Sequence, residues 1–309
     1  MLFIVAFVFV GILGFLAQSI GLCMVRGINE FRSGKPEFLI AILLSGVLTW
    51  VAIVFSSFAD MPTNFKTHEV NIWFALGGLL FGTGAALNQG CGVSTLSKLS
   101  RGDSKMIFTI SGWLIGWSIL EFWNPLINYT QLSNSYDITI EVLISLTIAL
   151  LIWIFLGNKA RKKLWLTMMS IGLIGGFVFL FYPKWPPSGL FHKLSNALIN
   201  TNEAWPSIEN YLLFISLLLG MFAAAWRTNK FKILTSNWRE WLIHILAGTF
   251  MGIGASLALG GNDTQLLLAL PTLSPAGGVT IIGMLIGIWA GLYVNSKLNQ
   301  PCLTHEHSC

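Results

Sequence analysis

The chain has 309 residues, 54% of them hydrophobic and only 10% charged, with a mean hydropathy of +0.71. A soluble globular protein of this length is excluded, because its surface needs far more charge. Apolar runs of about 18 or more residues recur from end to end, which makes lipid the solvent.

Nine membrane spans are predicted in chain order: 2–23, 37–59, 72–90, 106–123, 138–156, 166–182, 208–226, 241–260 and 276–296. Residues 2–22 lack a basic leader and a convincing cleavage site, so they read as a spanning helix. The polar connections then set orientation. Arg26, Arg32 and Lys35 follow the first span, and Lys98, Arg101 and Lys105 follow the third. Lys159, Arg161, Lys162 and Lys163 follow the fifth, and Arg227, Lys230, Lys232 and Arg239 the seventh. With Lys297 in the tail, this side holds all but three of the 18 Lys and Arg residues; Lys66, Lys184 and Lys193 fall on the other. The bias places the N-terminus outside and the C-terminus in the cytoplasm of a multi-pass cytoplasmic (inner) membrane protein. It also accounts for the net charge of +5 with no nucleic-acid partner.

Residues 77–102 recur at 247–272. At a shift of 170, Gly78, Gly82, Gly84 and Gly90 meet Gly248, Gly252, Gly254 and Gly260, and Cys91 falls opposite Gly261. Thr109–Gly116 (TISGWLIG) likewise matches Thr280–Gly287 (TIIGMLIG). The second copy begins five spans after the first, in the eighth span against the third, so the copies run in opposite directions across the membrane. The expected fold class is an all-α polytopic membrane protein of two inverted repeats, 1–123 and 166–296. The helix 138–156 joins them, and a cytoplasmic tail, 297–309, follows. Such repeats place a binding site at their interface.

Gly78, Gly82 and Ala86, like Gly248, Gly252 and Ser256, have the small-xxx-small spacing of packed membrane helices, and packing is their simplest reading. The residues after them differ. Asn88-Gln89-Gly90-Cys91-Gly92 and Gly260-Gly261-Asn262-Asp263-Thr264 are too polar to continue a lipid-facing helix. Each reads as a Gly-rich break followed by a short second helix, with a plain turn outside the membrane as the alternative. A helix starting after such a break points free N–H groups and its positive dipole end at an anion. Asp263 reads as a cap on the second short helix. Cys91 is either a small buried residue or a polarisable contact with a weak S–H donor.

The segment Asn88–Asp103 (NQGCGVSTLSKLSRGD) resembles the signature of the YeeE/YedE-type sulfur-transport membrane proteins, whose studied members take up thiosulfate. Gly21-Leu22-Cys23, followed by Arg26–Phe31 (RGINEF), resembles their first cysteine-bearing helix. Gly252–Asn262 (GIGASLALGGN) resembles their second signature except at one position. The resemblance implies a permease for a small inorganic sulfur anion, thiosulfate or a relative. It further implies a narrow central path on which Cys23 and Cys91 contact the anion. Gly90, Gly92, Gly260, Gly261, Asn262 and Asp263 complete the candidate path. The family's cysteine in the second repeat falls at Gly261, so that contact is missing; a different sulfur or selenium oxyanion is the alternative substrate. No cofactor, metal site or catalytic group is implied.

Glu121, Glu141 and His244 lie near span ends, and no run of intramembrane carboxylates suggests a proton relay. Cys302, His305, His307 and Cys309 in the tail match no closed zinc pattern. The two tail cysteines motivate one further reading, a membrane partner relaying sulfur to a small cytoplasmic TusA-like carrier protein.

Overall fold

In a computed structural model, residues 2–61, 65–123, 127, 129–132, 136–200 and 203–298 are described. The tail residues Cys302, His305, His307 and Cys309 lie outside them. The described chain is helical almost throughout: α1 (Leu2–Ile20), α2 (Met24–Arg32), α3 (Glu37–Leu43), a 3-10 turn (Ser45–Leu48), α4 (Thr49–Phe58), α5 (Ile72–Leu87), α6 (Gly92–Ser100) and α7 (Met106–Trp123). There follow α8 (Tyr136–Phe155), α9 (Lys159–Phe181), α10 (Pro187–Ile199), α11 (Ile208–Arg227), α12 (Trp238–Leu257), α13 (Asn262–Thr264), a π turn (Gln265–Ala269) and α14 (Pro275–Leu298). Two short strands, β1 (Thr67–His68) and β2 (Gln131–Leu132), pair antiparallel and tie two loops together.

Among the described residues, eight helical stretches are long and apolar enough to cross a membrane. They correspond to every predicted span except the third. That span is carried by α5, whose 16 residues reach about 24 Å, short of a bilayer core of about 30 Å. After a break the chain continues as α6. The first span also ends earlier than expected. Helix α1 stops at Ile20, the chain turns at Gly21 with φ +65, and Cys23 becomes the N-cap of α2. The helix α10 was not expected at all.

Polarity is arranged for lipid. Ile4, Val8, Ile138, Ile148, Ile152 and Ile286 are exposed, whereas Asn88, Thr95, Thr109 and Thr280 are fully buried. In water this apolar exterior is an association surface; in a bilayer it faces acyl chains.

Four helices form the centre. α5 packs on α14, α12 on α7, and α5 on α12. The glycines make this possible. A Cβ on Gly78 would strike the Thr280 carbonyl and one on Gly82 the Met284 carbonyl. Likewise Gly248 lies on the Thr109 carbonyl and Gly252 on the Trp113 carbonyl. The two sets of contacts use equivalent residues of the two copies. Around this centre α1 packs on α11, as α9 packs on α4 and the 3-10 turn. Gly78→Leu or Gly248→Leu should each cost about 1–3 kcal/mol or more, since backbone rather than a flexible side chain must move. Thermal unfolding followed by size-exclusion chromatography in detergent checks this, and an unchanged midpoint contradicts the packing role.

Candidate functional site

At the first break, α5 ends at Leu87 and Gln89 takes a left-handed conformation, φ 54. Cys91 is the N-cap of α6. Asn88 holds the turn. Its Nδ2 donates to Thr95 Oγ1 at 2.7 Å and to the Gly90 carbonyl at 2.9 Å. Its Oδ1 accepts from Thr109 Oγ1 of α7 at 2.7 Å and lies 2.8 Å from His244 Nδ1 of α12. An oxygen of Asn has no proton to give, so His244 carries its proton on Nδ1 for this contact. Ser94 and Thr95 both donate to the Cys91 carbonyl at 3.0 Å, and Lys98 Nζ donates to the Gln89 carbonyl at 3.0 Å. Gly90 leaves room beside Ser94, whose Oγ would lie 2.6 Å from a Cβ there.

Cys23 and Cys91 come together. Each is a free, buried thiol at the N-cap of a nine-residue helix, and the two side chains are neighbours, with Ser94 near Cys23. No spacing in the sequence announces this meeting, because the residues belong to separate breaks.

The second break turns at Leu259 (φ 57) and Gly260 (φ 153), and Gly261 is the N-cap of α13. Asn262 Oδ1 accepts the Gly92 amide at 3.2 Å. Gly92 and Asn262 are equivalent positions of the two copies, so the breaks meet at matching points. This corrects one expectation: the Gly92 N–H is taken by Asn262 and is not free for an anion.

Asp263 stands one residue inside α13, whose N-cap is Gly261, and its carboxylate takes a first-turn amide of that helix, as a cap would, along with groups of Ser188. Its carboxylate accepts from the Ser188 amide at 3.2 Å, Ser188 Oγ at 2.9 Å and the Thr264 amide at 2.9 Å. Asp263 Oδ1 lies only 2.8 Å from where a Cβ on Gly261 would stand. The carboxylate therefore occupies the space that a side chain at 261 would enter.

Two neighbouring spaces adjoin these residues. The inner one, about 80 Å³, is lined mainly by apolar side chains together with Gly92, Ser188, Gly261, Asn262 and Asp263. Neither Cys23 nor Cys91 is among its lining residues, but their chain neighbours Leu22 and Gly92 are. Trp113 and Trp185 also line it, and their buried indole N–H groups have no partner among the described residues. Unpaired buried donors are rare and costly; they suit an acceptor that enters the cavity. The outer space, about 560 Å³, is lined by Lys66, His68, Glu121, Tyr129, Lys184 and His192 among others, and it reaches Gly260 and Thr264. Trp117 and Ser188 belong to the walls of both.

Sequence reasoning did not single out Ser188, Trp113, Trp185 or the vestibule lysines as site residues. The vestibule lysines, Lys66 and Lys184, were visible only as exceptions to the charge bias. His192 stacks on Trp117, with ring centroids 5.2 Å apart, and lies 3.6 Å from Glu121. Burial first, then Lys184 and Lys193, push its pKa down to about 4, so the ring is neutral at neutral pH and the contact is not an ion pair. Burial, then Lys193, also lowers Lys184 below the ordinary lysine value. Because the unfolded His192 titrates near 6.5, its contribution to stability is complete above that pH. It is lost as pH falls from 6.5 towards 4. A melting midpoint that drops over this window, and drops less in His192→Gln, is the expected result; identical acid profiles contradict it.

Two comparisons with known proteins bear on this site. A family model described as Sulphur transport matches residues 22–290. Thiosulfate transporter TsuA of Escherichia coli (strain K12) is 20% identical over 325 residues, which cover 92% of this chain and 92% of the relative.

Proposed function

The chain belongs to the sulphur-transport family, and on that premise we propose that it is a permease for a small inorganic sulfur anion, thiosulfate first among the candidates. It is a multi-pass membrane protein whose business is transport, not catalysis. In the proposed route the anion enters the lysine-bearing vestibule from outside, passes Ser188 and Trp117 into the inner cavity, and leaves past Cys91 and Cys23 to the cytoplasm. The N-terminus lies outside and the C-terminus in the cytoplasm of the inner membrane. Residues 1–123 and 166–296 act as two inverted repeats joined by 138–156. The mirrored glycine contacts and the meeting of Gly92 with Asn262 support that division.

The observation that carries the reading is the pairing of Cys23 with Cys91, whose chain neighbours Leu22 and Gly92 line an apolar cavity that shares Trp117 and Ser188 with a lysine-bearing vestibule. Sulfur is a soft partner for a soft anion, and lysines at the mouth raise the local anion concentration. Expression of the gene should restore growth on thiosulfate as sole sulfur source in a strain lacking other uptake routes. No growth at normal protein levels contradicts the function.

The filled space at Gly261 favours one second reading, a related sulfur or selenium oxyanion as substrate. Competition of a panel of such anions against radiolabelled thiosulfate decides between them.

A further inference from the structure

We propose that Asp263 carries a proton inward with each anion, so that transport is proton-coupled. The inference rests on the permease reading above and deepens it. Asp263 lines the inner cavity, and among the described residues no lysine, arginine or histidine shares that wall. An anion entering there meets neutral donors and one carboxylate. In a site with little water, two negative charges side by side strongly disfavour each other. The anion and the charge on Asp263 therefore exclude one another, while a proton on Asp263 turns the repelling oxygen into a donor.

The same geometry gives the cycle two ends. With the cavity empty, burial favours the protonated carboxyl, and the three donors from Ser188 and Thr264 oppose it by favouring the charged form. Ser188 borders the vestibule as well as the cavity, so water on the outer side lies next to the group that must be protonated. A proton passes from vestibule water to a carboxylate oxygen as the anion enters. It leaves to cytoplasmic water after the anion departs; no bond other than O–H forms or breaks. By linkage, anion binding raises the proton affinity of Asp263 as much as protonation raises anion affinity.

Other titratable groups stand on the elements packed against α13. They are Cys91 and Lys98 at α6, and His192 and Lys193 on α10 with Lys184 just before it; the π turn has none. Among the described residues, the carboxylate of Asp263 accepts hydrogen bonds from Ser188 and Thr264. His192 and Lys184 face the vestibule, so they tune arrival of the anion, whereas Asp263 stands where it must pass.

The test uses the full-length protein in liposomes with a trapped pH dye, radiolabelled thiosulfate outside and the membrane potential clamped. Unaltered protein should acidify the interior as label enters. Uptake should rise as external pH falls, by up to about tenfold per pH unit, the limit for one titrating group. Asp263→Asn, a neutral stand-in for the protonated acid, should lose the acidification and the pH dependence of any uptake it retains. Ser188→Ala removes one donor to the carboxylate and should move the pH midpoint of uptake upward, which keeps the idea testable if Asp263→Asn is inactive. Label entry by unaltered protein without acidification overturns the coupling and spares the permease reading, and so does a pH midpoint unmoved in Ser188→Ala. No label entry by unaltered protein overturns both.

Discussion

Cys91→Ala is expected to abolish thiosulfate-dependent growth while leaving the protein at its normal level. Cys91 is 1% exposed and is the N-cap of α6, yet its side chain makes no hydrogen bond to the helix amides. The cap is instead secured by Asn262, which accepts the Gly92 amide, and by Ser94 and Thr95, which donate to the Cys91 carbonyl. Alanine leaves all of these in place and removes one sulfur atom from a small side chain, a change of roughly 1 kcal/mol in stability. What it removes entirely is the thiol that faces Cys23 next to the cavity. Function and folding thus separate at this position. Cys91→Ser retains an O–H donor but not the polarisable sulfur, and should fall between alanine and the native residue. Full growth of Cys91→Ala eliminates the thiol from the mechanism.

Asn88→Leu should have the opposite character, a large loss of stability that takes activity with it. Asn88 is fully buried and joins α6, α7 and α12 through Thr95, Thr109 and His244. Leucine fills similar space but offers neither the donor that the Gly90 carbonyl and Thr95 receive nor the acceptor that Thr109 and His244 use. Each buried group stranded in this way costs about 1–3 kcal/mol. The melting midpoint in detergent should fall steeply, and the loop that carries Cys91 should lose its position. His244→Phe offers a graded comparison. Its equivalent in the other copy is Phe74, so the side chain suits such a site, and Asn88 keeps Thr109 as a partner. A milder drop is expected. Equal midpoints for Asn88→Leu and the native protein contradict the clamp.

Much of this was legible in the residues, and the limits have physical causes. Apolar runs and the lysine and arginine bias depend on local composition alone, so most of the spans were found close to their places. The copies at 77–102 and 247–272 located both breaks, because Gly and Asn interrupt an apolar pattern visibly. The length of α5 was overestimated because Asn88–Gly90 still sits in a largely apolar window. The helix α10 escaped although Leu190, Phe191, Leu194, Ala197 and Leu198 follow Pro187 at helical spacing; at 13 residues it is too short to register as a span.

That omission hid the partner of Asp263, since Ser188 lies in the first turn of α10, and a cap was the natural local alternative. The contact of Asn262 with Gly92 spans 170 residues. It follows from how the two copies pack, which no local pattern encodes. The same holds for the meeting of Cys23 with Cys91.

The central claim is that this chain moves a small sulfur anion across a membrane with Cys91 on the route. Purified protein in liposomes, given radiolabelled thiosulfate outside, tests it most directly when run beside Cys91→Ala. Saturable entry of label with the native chain, and entry no greater than in protein-free liposomes with Cys91→Ala, is the expected result. Native protein that admits no more label than protein-free liposomes, or an alanine variant that matches the native rate, would contradict it.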